Sequence, residues 1–350
     1  MTDNWLQSPA AKPSTAHREA ALARQSQLTK PPGSLGRLEA AAVNLAALQG
    51  TDTPSVERVH IAIFAADHGV AVERVSAFPQ EVTAQMVANF AAGGAAISVL
   101  ARELGASFSV VDVGTVEPIP GLPGVTDRRI APGTANLAAG PAMTQAQLQQ
   151  ALDAGREQVD NALDAGCDVF IGGEMGIANT TAATALGCAL TGGDLATMTG
   201  PGTGLDTHGV RHKMEVLARS LTLNIEARSA PLSSLQAFGG FEIAALTGAY
   251  LRAAQRGLPV IVDGFICTAA ALAASRINPA SNSWMLFSHM SQEPGHLALL
   301  QALDADPLVD LEMRLGEGSG AATVVPLLRL ACALHNGMHT FADAGVSDKG

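Results

Sequence analysis

The segment Gly316-Glu317-Gly318-Ser319-Gly320 sets one carboxylate between residues without side-chain bulk, just ahead of an apolar run that begins Ala321-Ala322. Partial burial there would raise its pKa toward neutrality, as a general base requires. Read alone, Glu317 is equally a loop glutamate that precedes a helix. A second carboxylate, Asp263, ends the apolar run Val260–Val262 and is followed by Gly264. It suits a ribose hydroxyl, a catalytic role or a strand-end turn. A third, Glu174, stands in Gly172-Gly173-Glu174-Met175-Gly176-Ile177-Ala178-Asn179-Thr180-Thr181, a glycine-rich turn entering a Thr-capped, Ala-rich helix. Unpaired backbone N–H groups at such a helix start, with the macrodipole, attract phosphate or carboxylate. The turn Gly200-Pro201-Gly202-Thr203-Gly204 allows close backbone approach, and Lys213 on the following helix can neutralise an anion or be an exposed lysine. Asp67-His68-Gly69 offers an acid–base pair or a simple turn. The loop from Ser76 to Met86 mixes Phe78 with small polar groups and Gln85, which fits a planar heterocycle or a loop packed on a sheet.

The elements that must hold these residues alternate in type. Strands are predicted at Val59–Ala65, Phe108–Val113, Asp168–Ile171, Val260–Val262 and Trp284–Phe287, mostly apolar rather than alternating and so suited to a parallel sheet covered on both faces. Between them, Thr144 can cap a helix that Gly166 stops, and Gly239–Gln255 reads as a helix closed by Gly257 and Pro259. Gly94–Leu104 and Thr180–Leu190 are further crossovers. Repeated strand–helix–strand units predict an α/β, Rossmann-like open parallel sheet with helices on both faces and ligands at the strands' carboxyl ends. Ala16–Leu28 and the stretch from about Ala321 to Thr340 read as helical ends. They predict a small helical domain of residues 1–29 and 306–350 beside a catalytic domain of residues 30–305.

Composition narrows the function. The 350 residues carry a net charge of −11 and only 4% aromatics, so the cationic aromatic platform that nucleic acid needs is missing. No dinucleotide G-x-G-x-x-G or NTPase phosphate loop occurs. No apolar run of spanning length is expected, because Asp263 and Arg329 interrupt the two best candidates, and Met1–Pro13 has no leader-like apolar core. His208/His212 and His335/His339 have i, i+4 spacing but no specified third ligand, so no metal is assigned. Cys167, Cys188, Cys267 and Cys332 form no CxxC pair and read as reduced core thiols of a cytoplasmic protein.

Lys30-Pro31-Pro32-Gly33-Ser34-Leu35-Gly36-Arg37-Leu38-Glu39, Ala66–Val70, Ser76–Met86, Gly172–Ala183, Gly202–Asp206, Asp263-Gly264 and Gly316–Ala322 occur in this order over nearly the whole chain. Together they resemble the nicotinate-nucleotide–dimethylbenzimidazole phosphoribosyltransferase family. The resemblance implies a homodimer, a small three-helix domain built from both termini, and no cofactor. It implies phosphoribosyl transfer from nicotinate mononucleotide to 5,6-dimethylbenzimidazole, with Glu317 as catalytic base. The acceptor would lie along Ser76, Phe78, Gln85 and Met86, where Phe78-Pro79 bears on the choice of base. The donor would lie along Gly176, Asn179, Thr180, Thr181, Gly202, Gly204 and Lys213, with Glu174 and Asp263 near its sugar; Leu315 completes the expected set. A nucleotide N-glycosidase and a non-catalytic nucleotide-binding regulator are the alternatives at this stage.

Overall fold

A computed structural model describes residues 5–119 and 121–347; residues 1–4 and 348–350, in the predicted terminal domain and the N-terminal reading, lie outside the described residues. Six strands form one parallel sheet: β1 (Val59–Ala66), β2 (Ser107–Gly114), β3 (Val125–Asp127), β4 (Val169–Met175), β5 (Val260–Val262) and β6 (Met285–Phe287). Their order is β3-β2-β1-β4-β5-β6, so the direction of winding reverses between β1 and β4. That switch point opens a crevice beyond the carboxyl ends of the strands. A small parallel pair, β7 (His289–Met290) and β8 (Val309–Asp310), lies outside this sheet.

The helices are α1 (Thr15–Gln27), α2 (Arg37–Gln49), α3 (Glu81–Ala91), α4 (Ala96–Leu104), α5 (Gln145–Asp164), α6 (Asn179–Thr191) and α7 (Leu195–Met198). They continue as α8 (Thr207–Leu223), α9 (Pro231–Phe238), α10 (Phe241–Arg256), α11 (Phe265–Ile277), α12 (Gly295–Ala302), α13 (Ser319–Gly337) and α14 (Phe341–Ala344). Alternate strand side chains serve opposite faces. Phe64, Val111 and Phe170 pack with α5, α6, α10 and α11, whereas Ile61, Ile63 and Ile171 pack with α2, α3, α4 and α13. α10 is buried nearly all round and crosses α5 at glycines. A Cβ on Gly155 would stand 1.8 Å from the Ala245 carbonyl oxygen, and one on Gly248 2.2 Å from that of Leu152.

The structure corrects several sequence readings. β4 runs on through Gly172, Gly173 and Glu174, in register with Ala62, Ile63 and Phe64 of β1, where a tight turn was expected. The glycines serve close approach: a Cβ on Gly173 would meet Ile63 Cδ1 at 2.4 Å and the Glu317 carbonyl oxygen at 2.6 Å. The expected threonine cap of α6 is Ala178, with φ +77° and no side-chain cap; Thr180 and Thr181 lie inside the first turn. The 24 residues Glu81–Leu104 have the length and hydropathy of a spanning segment, contrary to the sequence reading. The backbone breaks them into α3 and α4 around Gly93-Gly94, and both helices pack on the sheet. α2 was not foreseen. It packs against both α1 and α13, although it falls within the range assigned to the catalytic domain. Arg24 of α1 donates to the carbonyls of His335 (2.7 Å), Asn336 (3.1 Å) and Met338 (3.0 Å) and so completes the end of α13.

Candidate active site

Three carboxylates meet at the switch point. Glu174 ends β4, Asp263 follows β5, and Glu317 precedes α13. They border one cavity of about 510 Å³, within the usual range for small-molecule sites. Glu317 has φ +64°, left-handed backbone that costs a side-chain-bearing residue about 1–2 kcal/mol. It is 7% exposed, and its Oε2 is buried without a protein hydrogen-bond partner. Its own N–H points at Glu174 Oε1 (3.4 Å), whose other oxygen is hydrogen-bonded by the Asn179 amide.

Crowding of buried acids raises their proton affinity. Burial, then the nearby Asp263 and Glu242 carboxylates, push Glu174 up to about 8. Burial, reinforced by Asp263, raises Glu317, and burial raises Asp263. Glu174 therefore binds its proton more tightly in the folded chain than in the unfolded one, where 4.5 applies. Its contribution to stability is whole below pH 4.5 and is lost as pH rises to about 8. Glu174→Gln should accordingly flatten the fall of the unfolding free energy between about pH 5 and 8, read by urea melts without ligand. A slope equal to that of the parent chain would refute the assignment.

The opposite end of the cavity brings a helix start, a glycine turn and the Glu293 carboxylate together above a buried lysine. The first turn of α6 contributes Asn179 and Thr180, and the 200–204 turn faces it with Gly202 at φ +53°. Lys213, fully buried on α8, donates to Thr180 Oγ1 (2.8 Å) and the Gly200 carbonyl (3.3 Å). It is therefore not an exposed lysine. Burial lowers its pKa to about 8. A Cβ on Gly202 would lie 2.7 Å from Thr180 Oγ1 and 3.5 Å from Lys213 Nζ, so glycine keeps this corner open.

Of the expected residues, Phe78, Met86, Glu174, Gly176, Asn179, Thr180, Gly202, Asp263, Leu315 and Glu317 line the cavity. Five do not. Gln85 is exposed on α3, Gly204 is exposed on its turn, Thr181 is buried behind the helix start, and Lys213 lies beneath the turn. Ser76 bonds instead to Thr203 (3.0 Å), tying the Ser76–Met86 loop to the glycine turn. Asp263 borders the cavity, but both its oxygens accept backbone N–H groups, from Gly318 (3.1 Å) and Ala321 (2.9 Å). Asp67 and His68 lie below the cavity. There His68 Nε2 pairs with Glu242 Oε1 at 2.6 Å and packs behind Gly176. His289, Ser291, Glu293 and Arg314 line the cavity without having been singled out. The sheet-end rule could have found His289, two residues beyond β6. One member of each spaced histidine pair is otherwise engaged, and His208 and His339 are exposed. His212 bonds the Glu73 carbonyl (2.7 Å) and His335 the Gln25 side chain (2.9 Å).

A parallel sheet that gathers acids and a helix start around one cavity at its switch point defines an α/β enzyme of the nucleotide-handling kind. A family model described as Phosphoribosyltransferase matches residues 10–346. The nicotinate-nucleotide–dimethylbenzimidazole phosphoribosyltransferase of Xanthomonas euvesicatoria pv. vesicatoria (strain 85-10) is 60% identical over 348 residues, 99% of this chain and all of that protein. The protein of the same name from Pseudomonas fluorescens (strain SBW25) is 60% identical over 349 residues, all of this chain and 99% of that one. The crystal structure of the Thermus thermophilus phosphoribosyltransferase of that name matches with a TM-score of 0.91 at 44% identity, covering 96% of this chain and all of the other. The chain belongs to the nicotinate-nucleotide–dimethylbenzimidazole phosphoribosyltransferase family and is an enzyme of the glycosyltransferase type.

Proposed function

We propose that this enzyme moves the 5-phosphoribosyl group of nicotinate mononucleotide onto 5,6-dimethylbenzimidazole, releasing nicotinate and forming α-ribazole 5′-phosphate for the lower ligand of cobalamin. The observation that carries the residue roles is Glu317: a buried carboxylate with one unpartnered oxygen, on the wall of the cavity, with its pKa raised by burial. Nicotinate joined to ribose is a pyridinium and leaves as a neutral ring nitrogen, so the departing base needs no proton. Breaking the bond places positive charge on the sugar, and that charge draws Glu174 toward its ionised form beside it. One nitrogen of the benzimidazole attacks the anomeric carbon, and Glu317 takes the proton from the other. Attack opposite the departing ring inverts the centre and gives the α-linkage. Holding both rings in line supplies up to about 7–11 kcal/mol of the barrier reduction.

The phosphate would sit against the α6 start and Gly202, with Lys213 below. Lys213 braces that corner through charge-assisted hydrogen bonds to Thr180 Oγ1 and the Gly200 carbonyl, each contributing about 1.5–3 kcal/mol. Lys213→Met should therefore raise the KM for nicotinate mononucleotide by about 10- to 150-fold with a smaller change in kcat, measured by steady-state kinetics. An unchanged KM would remove Lys213 from the donor site. Phe78, Val82 and Met86 would frame the acceptor ring. The reading includes a homodimer, supported by the family resemblance and testable by sedimentation.

The deciding experiment is incubation with nicotinate mononucleotide and a panel of azole bases, with product identification by NMR. An α-linked benzimidazole nucleotide is expected. Nicotinate release independent of added base would instead mean hydrolysis, and donor binding without turnover a regulator.

A further inference from the structure

Asp263 is 2% exposed and follows the strand β5, yet its hydrogen bonds run to the chain and not into the cavity. Helix α13 has Gly318 as its N-cap residue and no local side-chain cap, so its first amides need acceptors from elsewhere. Asp263, 55 residues earlier, supplies them: Oδ2 takes the Gly318 N–H and Oδ1 the Ala321 N–H. The loop ahead of the helix turns through three consecutive positive φ angles, +89° at Gly316, +64° at Glu317 and +77° at Gly318. Only Glu317 among them carries a Cβ, and such backbone persists where surrounding contacts over-determine it. The contacts that do so come from Glu174 on one side and Asp263 on the other, with the Glu317 carbonyl seated on Gly173. Behind Asp263 stands His289, whose Nδ1 is 3.9 Å from Oδ1 and bonds Ser288 Oγ at 2.9 Å. The close fit of that ring explains Gly320, where a Cβ would come within 2.0 Å of Nδ1.

We infer that Asp263 is a positioning residue: it clamps the peptide after Glu317 and the first turn of α13, and thereby sets the direction from which the Glu317 carboxylate enters the cavity. The inference rests on the reading of Glu317 as the base. It replaces the expectation that Asp263 holds a ribose hydroxyl or stabilises charge on the sugar. Misplacing a catalytic group by about 1 Å costs on the order of 100-fold.

The test uses the full-length enzyme as Asp263→Asn, Glu317→Gln and the double variant, with kcat and calorimetric Kd for nicotinate mononucleotide. Asparagine keeps one acceptor oxygen but turns an NH2 group against the other amide. Asp263→Asn should lower kcat by about 10- to 100-fold and leave the donor Kd within about twofold. The double variant should be no more than about twofold slower than Glu317→Gln alone, because a displaced base and a missing base do not add. A roughly tenfold weaker donor Kd in Asp263→Asn, or multiplied losses in the double variant, would overturn the inference while leaving Glu317 as base. Parent-level turnover by Glu317→Gln would overturn the base reading itself, and the inference with it. If the asparagine variant does not fold, hydrogen exchange on the parent enzyme decides. The Gly318 and Ala321 amides should exchange at least about 100-fold more slowly than free peptide before any ligand is added, and free-peptide rates would overturn the clamp.

Discussion

Replacing Glu317 by glutamine should lower the rate of phosphoribosyl transfer by about 10²- to 10⁴-fold, the usual contribution of a positioned general base. Glutamine keeps the size of the side chain and does not relieve the left-handed backbone at φ +64°, so the cavity wall should be retained. What is lost is the ability to accept the proton that the acceptor ring must shed. Donor affinity should stay within about twofold, because the α6 start and Lys213 are untouched. The pH profile supplies a second reading. Burial raises the Glu317 pKa above the ordinary carboxylate range, so the acidic limb of kcat/KM should lie above it too. The limb should rise with pH as the base ionises and vanish in the glutamine variant. Stopped assays with saturating donor and acceptor measure the first effect. Transfer within about tenfold of the parent enzyme would sink the assignment.

The second large effect concerns the scaffold. Gly155→Ala should destabilise the fold despite the better helix propensity of alanine, worth about 1 kcal/mol. At the α5–α10 crossing the new Cβ would meet the Ala245 carbonyl at 1.8 Å and carbon or nitrogen atoms of the same helix at 2.7 Å. These are backbone atoms of a helix buried on nearly every side, so relief requires moving α10 as a body. Overpacking of this kind costs about 1–3 kcal/mol or more, and here the upper end outweighs the propensity gain. Each kcal/mol lowers Tm by about 2–4 °C in a chain of some 200 residues, and somewhat less here. Gly140→Ala, in open space, is the control and should melt with the parent chain. A Gly155→Ala protein as stable as that control would show that the two helices part easily.

Much of this was legible in the residues, for identifiable reasons. The runs Val59–Ala65 and Val260–Val262 are almost wholly apolar because both faces of a central parallel strand are covered, and their limits agree with the strands within one residue. Thr144 caps α5 through a local bond to the Gln147 N–H, so sequence proximity exposed it. Glu317 stood out because glycines flank it. What stayed hidden depended on distant partners. Gly172 and Gly173 look like a turn until their neighbours are seen, Leu246 of α10 against one and β1 with the Glu317 loop against the other. The fate of Asp263 is fixed by amides 55 and 58 positions later. Lys213 could be an anion partner or an exposed lysine by sequence, and only the fold shows it turned inward. Gln85 and Met86 are neighbours on a helix and point in different directions, and it is the apolar one that faces the cavity.

The glutamate proposed as the base enters just ahead of α13, a helix that also covers one face of the sheet through Val324, Val325 and Leu328. A chain that has not docked this helix lacks both a piece of its core and the carboxylate at the cavity wall. One docking step thus completes the fold and delivers the reactive group.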